Sequence, residues 1–193
     1  DIGEDTHGPG WRDRFDAAMA GAVPALRRMR EEGVIRAWGL GVNLVEPCLC
    51  ALNAADPDLF LLAGRYTLLD TAALDTLFPR CAARGVSVVV GGPYNSGLLA
   101  GGGTYNYAPA AAEMIARRDR LAAVCRRHGV DLRATALQFC AAHPVVAAVM
   151  PGARSAEEVR QNAALMAAAI PSALWAELRD RSLIPAHAPV PHA

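Results

Sequence analysis

Lysine is missing from this 193-residue chain, and all 19 of its basic side chains are arginine. The absence excludes Schiff-base chemistry, a lysine general base and a phosphate-gripping P-loop lysine within these residues. Surplus charge is missing as well. The 19 acidic residues balance the 19 basic ones, so the basic excess that neutralises a phosphate backbone is not there. Hydrophobic residues make up 53%, much of it alanine, but no window approaches 18 consecutive strongly apolar residues, which excludes a membrane-spanning helix. Neither nucleic acid nor membrane is therefore expected as a partner. The same composition excludes a disordered chain and suffices for one well-buried core.

Signals of processing, metal binding and nucleophilic catalysis are also lacking. No initiator methionine, charged leader or signal-like apolar stretch is present, and Asp1 reads as a cut rather than a natural start. The five cysteines (Cys48, Cys50, Cys81, Cys125, Cys140) form an odd set without a CxxC pair. Cys48 and Cys50, two apart in an apparent helix, face different directions and would not share a metal. Free thiols in a reducing, cytoplasmic compartment are expected. None of His7, His128, His143, His187 and His192 has a second ligand three or four residues away, so no metal is expected. No nucleophile elbow or nucleophile–base spacing appears.

What is present is a hydrophobic period that switches repeatedly. Residues 12–32 predict one helix, with Arg27, Arg28 and Arg30 in its last turns, where the helix dipole favours cations. VIRAWGLGV (34–42) and LFLLAG (59–64) are apolar runs on either side of a helix at 45–54. A helix over 71–84 should be bent or split by Pro79. VSVVVGG (86–92) is the clearest strand, continuous and β-branched. A glycine-rich loop (93–108), helices at 110–128 and 132–143, and a strand at 145–152 follow. A helix over 155–169 carries Ser155 and Glu158 as a capping box. A last helix covers 172–182, and the proline-rich tail is expected to fray.

Strands alternating with helices predict a parallel sheet of the α/β class, either an open doubly wound sheet or part of a (β/α)8 barrel. GLGVN (39–43) lacks the third glycine of a dinucleotide fingerprint, which weakens the doubly wound choice. Glycines and polar groups after every strand favour the barrel, whose sites lie at the C-terminal strand ends.

Three of those strand ends carry candidate chemistry. PGARSAEEVRQN (151–162) places a strand end, a glycine and a capped helix start in succession, an arrangement suited to an anion, with the planar charge of Arg154 beside it. The plain alternative is an ordinary turn with a capped helix and a solvated arginine. GGPYNSGLLAGG (91–102) offers glycines that let a ligand approach the backbone, with Asn95 and Ser96 as neutral hydrogen-bonding groups. A flexible turn explains it equally well. In AGRYTLLD (63–70), an Arg65–Asp70 pair holding the loop is the preferred explanation.

GVIRAWGLGVN, LLAGRYTLLD, VVVGGPYNSGLLAGG and VMPGARSAEEVRQN, in that order, resemble strands five to eight of the aldo-keto reductases. AGRYTLLD, YNSGLL and TYNYAPA are most similar to the branch that oxidises aldoses and pyridoxal. The resemblance covers about residues 1–184, with 185–193 as a tail. It implies a (β/α)8 TIM barrel of aldo-keto reductase type that uses NADP or NAD, with a fucose-like aldose or related small aldehyde or alcohol as substrate. It also implies that Gly152, Arg154, Glu158, Gln161 and Asn162 hold the adenosine end and its 2′-phosphate. Gly91, Gly92, Pro93, Tyr94, Asn95 and Ser96 match the loop over the nicotinamide and pyrophosphate. Gly41 and Val42 stand where the family has Ser-Asn, with Asn43 shifted by one; Ala63 replaces a glutamine, and Gly91 a stacking aromatic. The family's catalytic Asp, Tyr, Lys and His would lie upstream of Asp1, leaving no catalytic residue here. The alternative is a non-catalytic, cofactor-binding partner subunit on the same fold. In isolation the segment is expected to be inactive and to self-associate through unpaired strand edges.

Overall fold

The structure, a computed structural model, describes residues 2–191; Asp1 and His192, named above, and Ala193 lie outside the described residues. The elements in chain order are α1 Glu4–His7, α2 Trp11–Ala20, α3 Ala22–Glu31, β1 Gly39–Val42, α4 Val45–Ala54, β2 Leu59–Ala63, α5 Leu77–Arg84 and β3 Ser87–Gly91. They continue with β4 Thr104–Tyr105, β5 Ala108–Pro109, α6 Ala112–Arg127, α7 Leu132–Ala141, β6 Val146–Met150, α8 Ala156–Met166 and α9 Ser172–Asp180. Strands β1, β2, β3 and β6 form one parallel sheet in that order, and β4 pairs antiparallel with β5 in a small hairpin.

The sheet's two faces differ. Leu40, Phe60, Val88 and Val146 form one row across the strands, and Val42, Leu62, Val90 and Val149 the next. Both rows join the main core beneath α4, α5 and α7. The opposite face carries Gly41, Leu61, Val89 and Ala148, then Ala63, Gly91 and Met150. Leu61, Ala63 and Val89 stay partly exposed there and Met150 is 54% exposed, so this face lacks the cover that a parallel sheet ordinarily has on both sides. Glycine is required where β1 begins: a Cβ on Gly39 would lie 1.8 Å from the Leu59 carbonyl oxygen.

Several expected boundaries move, each for a local reason. The single helix over 12–32 is two helices meeting at Gly21, because Pro24 has no N–H to bond back to Ala20. The run 34–42 is a strand only from Gly39; Trp38 instead joins Val23 and Ala55 in a second, smaller core. Pro79 neither bends nor splits a helix. It lies in the first turn of α5, which starts at Leu77, and the stretch before it is a series of turns. The 93–108 loop contains the β4–β5 hairpin.

The tail does not fray over its described length. Ala188 is buried, Arg179 donates to the Ala188 carbonyl at 2.8 Å, and His187 meets Asp75 at 2.7 Å. Together with Leu183 and Ile184 just before it, Ala188 and Val190 of this segment add apolar area to the core beside α9. All five cysteines are free, Cys48 inside the core and Cys50 beside Arg12 and Glu46. Among the described residues, no helix is long and apolar enough to cross a membrane, and no group of three or more His, Cys, Asp or Glu could hold a metal ion.

Candidate functional site

All four parallel strands run the same way, so the segments that follow them meet at one end of the sheet. There the loop after β3 and the start of α8 line a cleft of about 740 Å³. Gly92, Pro93, Tyr94 and Ser96 come from the first segment; Gly152, Arg154, Glu158, Gln161 and Asn162 come from the second. A much smaller cavity adjoins it, lined by Asn43, Gly64, Arg65 and Asn95 and sharing Gly92, Ser96 and Tyr107 with the cleft.

The start of α8 is built by its cap. Ser155 is extended, and its hydroxyl accepts the Glu158 N–H at 3.2 Å. The reciprocal arm of the expected capping box lands one residue earlier, because the Glu158 carboxylate accepts the Arg154 N–H at 2.6 Å. That N–H holds the Glu158 carboxyl below its ordinary range. Arg154 is 93% exposed and touches Glu158 at 3.4 Å, which leaves most of its donors turned to solvent. Ala156 and Glu157, the first two residues of α8, have no hydrogen-bond acceptor for their N–H groups among the described residues. These features fit an anionic group of a ligand in the cleft, with Arg154 free to reach it.

Residues of the loop after β3 divide between lining the cleft and holding the loop. Gly92, at φ +57, turns the chain out of β3 where an L side chain would be strained. Tyr94 reaches across and donates its hydroxyl to Asn162 Oδ1 at 2.7 Å. Burial pushes the Tyr94 hydroxyl up to about 12, so it remains a protonated donor at neutral pH. Asn95 turns away from the cleft and is 2% exposed; its Oδ1 accepts the Thr67 hydroxyl at 2.6 Å and its Nδ2 donates to the Gly64 carbonyl at 3.3 Å. Its left-handed φ of +47, followed by Ser96 at +55, is held by those bonds.

The residues after β1 are set apart. Val42 is buried in the core beneath the helices, and Gly41 lies on the open face of the sheet beside Leu61. Asn43 lines the small cavity, where its Nδ2 donates to Asp5 at 3.0 Å and its carbonyl accepts Arg65 Nε at 2.6 Å. Arg65 also pairs with Asp70 at 3.0 Å, so it holds the loop after β2 as the sequence suggested. Gly91 ends β3 between Ala63 and Met150.

Sequence reasoning missed Arg133 and Tyr107, which also line the cleft. Arg133 is held by Asp131, the N-cap of α7, through Nη2 at 2.7 Å. The Asp-x-Arg spacing at a helix start was legible, but its nearness to the other motifs arises only from packing α7 against α8. Tyr107 came from a stretch that read as plain loop.

The model of the Aldo/keto reductase family matches residues 5–181. The chain is 40% identical to D-threo-aldose 1-dehydrogenase of Pseudomonas sp over 179 residues, covering 90% of this chain and 54% of that protein. It is 40% identical to pyridoxal 4-dehydrogenase of Microbacterium luteolum over 189 residues, covering 95% of this chain and 55% of that protein. Among solved structures, the holo form of an aldo-keto reductase from Bacillus halodurans superposes with a TM-score of 0.64 at 28% identity, over 85% of this chain and 55% of that one. The chain thus spans about half the length of the curated relatives it matches.

Proposed function

Because this chain belongs to the aldo/keto reductase family, we propose that the intact protein is an NAD(P)-dependent oxidoreductase acting on the C1 position of an aldose, or on a related small aldehyde or alcohol. Residues 1–184 supply strands five to eight of a (β/α)8 barrel, with 185–193 as a C-terminal extension. The observation that carries this reading is the convergence of two separate motifs, the loop after β3 and the start of α8, on one cleft at the C-terminal end of a parallel sheet.

The residues present fit a dinucleotide. The α8 N-terminus and Arg154 bind the adenosine-side phosphate, and Gln161 and Asn162 border the base. Gly92 and Ser96 let the rest of the ligand lie close to the backbone, while Asn95, tied to Thr67 and Gly64, keeps that loop in place. Asn43 stands at the far end, in the small cavity. The cofactor, when bound, supplies the hydride acceptor or donor. Arg154 tilts the choice towards NADP, with NAD also accepted.

Proton transfer is assigned to groups outside these residues. Burial pushes the hydroxyls of Tyr66, Tyr94 and Tyr105 upward, away from the range in which a general acid or base works near neutral pH. No lysine is present to lower any of them. The buried thiols, like a cytoplasmic setting, need no oxidant.

Assaying the intact protein with L-fucose and with pyridoxal, each with NADP and NAD, tests the proposal. Formation of reduced cofactor is the expected result. Cofactor binding without turnover of any aldose or aldehyde would instead establish a non-catalytic partner subunit, and no binding of either nucleotide would overturn the reading.

A further inference from the structure

Helix α6 carries Arg120 and Arg127 seven positions apart, two helical turns and about 10 Å along its axis, so both project from one face. Helix α9 packs beside α6, and its end brings Arg181 and Ser182 to the same place. With Ala123, Val124 and Leu183, these four residues line a cavity of about 410 Å³ that shares no lining residue with the cleft. In a chain without net charge, three arginines and no carboxylate in one lining are a local accumulation. Glu177, one turn before Arg181 on α9, offsets part of it. Its Oε1 accepts Arg127 Nε at 3.1 Å and Arg181 Nε at 2.7 Å, and its Oε2 meets His128 Nε2 at 2.8 Å. Arg181 is held through Nε alone, which leaves both of its Nη groups unused among the described residues. Arg120 has no hydrogen-bond or ion-pair partner among the described residues. Two arginines thus share one carboxylate and the third has none, which leaves two uncompensated positive charges at the cavity. Helix ends account for Arg127 and Arg181, because the dipole favours cations there. They do not account for Arg120, in the middle of the 16-residue α6. Ser182 is strained: it follows the end of α9 at φ +54, where glycine is usual. Its N–H donates to the Arg179 carbonyl at 2.8 Å, and its hydroxyl has no partner among the described residues.

We propose that this cavity between α6 and α9 binds a phosphate monoester of a small molecule. The phosphate of such an ester carries about −1.5 to −2 charges at neutral pH, which matches the two uncompensated positive charges. A guanidinium fork pairs with two phosphate oxygens at once, and Arg120, with all its donors unused, supplies the main contact. Arg181 adds its free Nη groups from the opposite helix, and Ser182 a neutral hydroxyl. The cavity is larger than one phosphate and lies within the range of small-molecule pockets. Ala123 and the buried Val124 and Leu183 therefore receive the carbon skeleton. This site does not depend on the dinucleotide reading of the cleft.

Titration calorimetry of the intact protein with glycerol 1-phosphate and with inorganic phosphate, at low ionic strength, tests this. The ester should bind more tightly than inorganic phosphate. Arg120→Gln should weaken the ester by about tenfold, the low end for a hydrogen bond to a charged group at an exposed site. Since Arg120 holds no other residue, the variant should melt at the wild-type temperature. Arg118→Gln removes a charge from the same helix, but Arg118 pairs with Asp119 at 2.7 Å and does not line the cavity, so affinity should be unchanged. Arg154→Ala, in the cleft, should also leave it unchanged. No binding of either ligand would overturn the site. Equal loss in Arg118→Gln and Arg120→Gln would overturn it as well, by showing diffuse attraction, and so would a loss confined to Arg154→Ala, which would place the phosphate in the cleft. Equal affinity for ester and inorganic phosphate would overturn the ester assignment and leave free phosphate as the ligand.

Discussion

Tyr94 and Asn162, separated by 68 positions in the chain, share a 2.7 Å hydrogen bond that joins the loop after β3 to helix α8. The tyrosine donates and the asparagine carbonyl accepts, so the Asn162 amide is oriented with its NH2 group left for a ligand. Tyr94→Phe keeps the ring and removes the donor. A neutral hydrogen bond is worth about 1 kcal/mol, so the variant should raise the cofactor dissociation constant by roughly fivefold at most. With its hydroxyl pushed up to about 12, Tyr94 makes this bond independent of pH between 6 and 10, and the wild-type to Tyr94→Phe affinity ratio should stay flat over that range. A ratio that collapses near neutral pH would show that the hydroxyl ionises there.

Arg154 is exposed and faces competition from Glu158, which sets the size of its effect. Hydrogen bonds to charged groups range over about 1.5–3 kcal/mol, and solvent screening places this one at the low end. Arg154→Ala should therefore raise the dissociation constant of NADP by about tenfold and hardly alter that of NAD, as measured by fluorescence titration. Equal changes for both nucleotides would mean that Arg154 does not read the 2′-phosphate.

Asn95 should behave as a structural residue. Asn95→Ala removes the acceptor of the buried Thr67 O–H, which still accepts from the Leu69 and Asp70 N–H groups, removes the side-chain donor to the Gly64 carbonyl, and keeps an L side chain in a left-handed conformation. A loss of about 2–3 kcal/mol in unfolding free energy is expected from denaturant titration. Cofactor affinity per folded molecule should change little, since the side chain faces away from the cleft. The reverse result, normal stability with lost affinity, would make Asn95 a ligand contact.

His143 links stability to pH. Its ring packs 4.6 Å from Phe78 and 5.7 Å from Tyr66 by ring centroids, and Nδ1 accepts the Val145 N–H at 3.2 Å. Burial lowers its pKa below the ordinary imidazole value. The unfolded chain then takes up the proton more readily than the folded one. This contribution is fully present above about pH 6.5 and is lost as pH falls through the lowered folded value. The melting temperature should drop over that acid window, and His143→Phe should flatten the drop. An unchanged pH profile in the variant would assign the acid sensitivity to another group.

Strands β1 and β6 are the unpaired edges of the sheet, and one face of it is thinly covered, with Met150 54% exposed. On its own, the 193-residue chain should associate through those edges and show no dehydrogenase activity. Size-exclusion chromatography with light scattering checks the first point. A soluble monomer that oxidises L-fucose would overturn both this expectation and the assignment of proton transfer to groups outside these residues.

Much of this architecture is written locally. The β-branched run at 88–90 makes a strand whatever surrounds it, and Ser155 with Glu158 marks the start of α8, because extended backbone, capping and helical period depend on residues only a few positions apart. Alternation of strands and helices was enough to determine a parallel sheet, and glycines after the strands were enough to mark the end at which the cleft opens. Tertiary structure alone decided how those residues divide their work. Asn95 and Ser96 are neighbours with similar polarity, yet one is sealed against Thr67 and Gly64 while the other borders both cavities. Tyr94 meets Asn162, Tyr107 arrives at the cleft on a hairpin that read as loop, and the proline-rich tail docks beside α9. Each of those outcomes rests on contacts between residues far apart in the chain, where packing and hydrogen-bond satisfaction, rather than local propensity, set the position of a side chain.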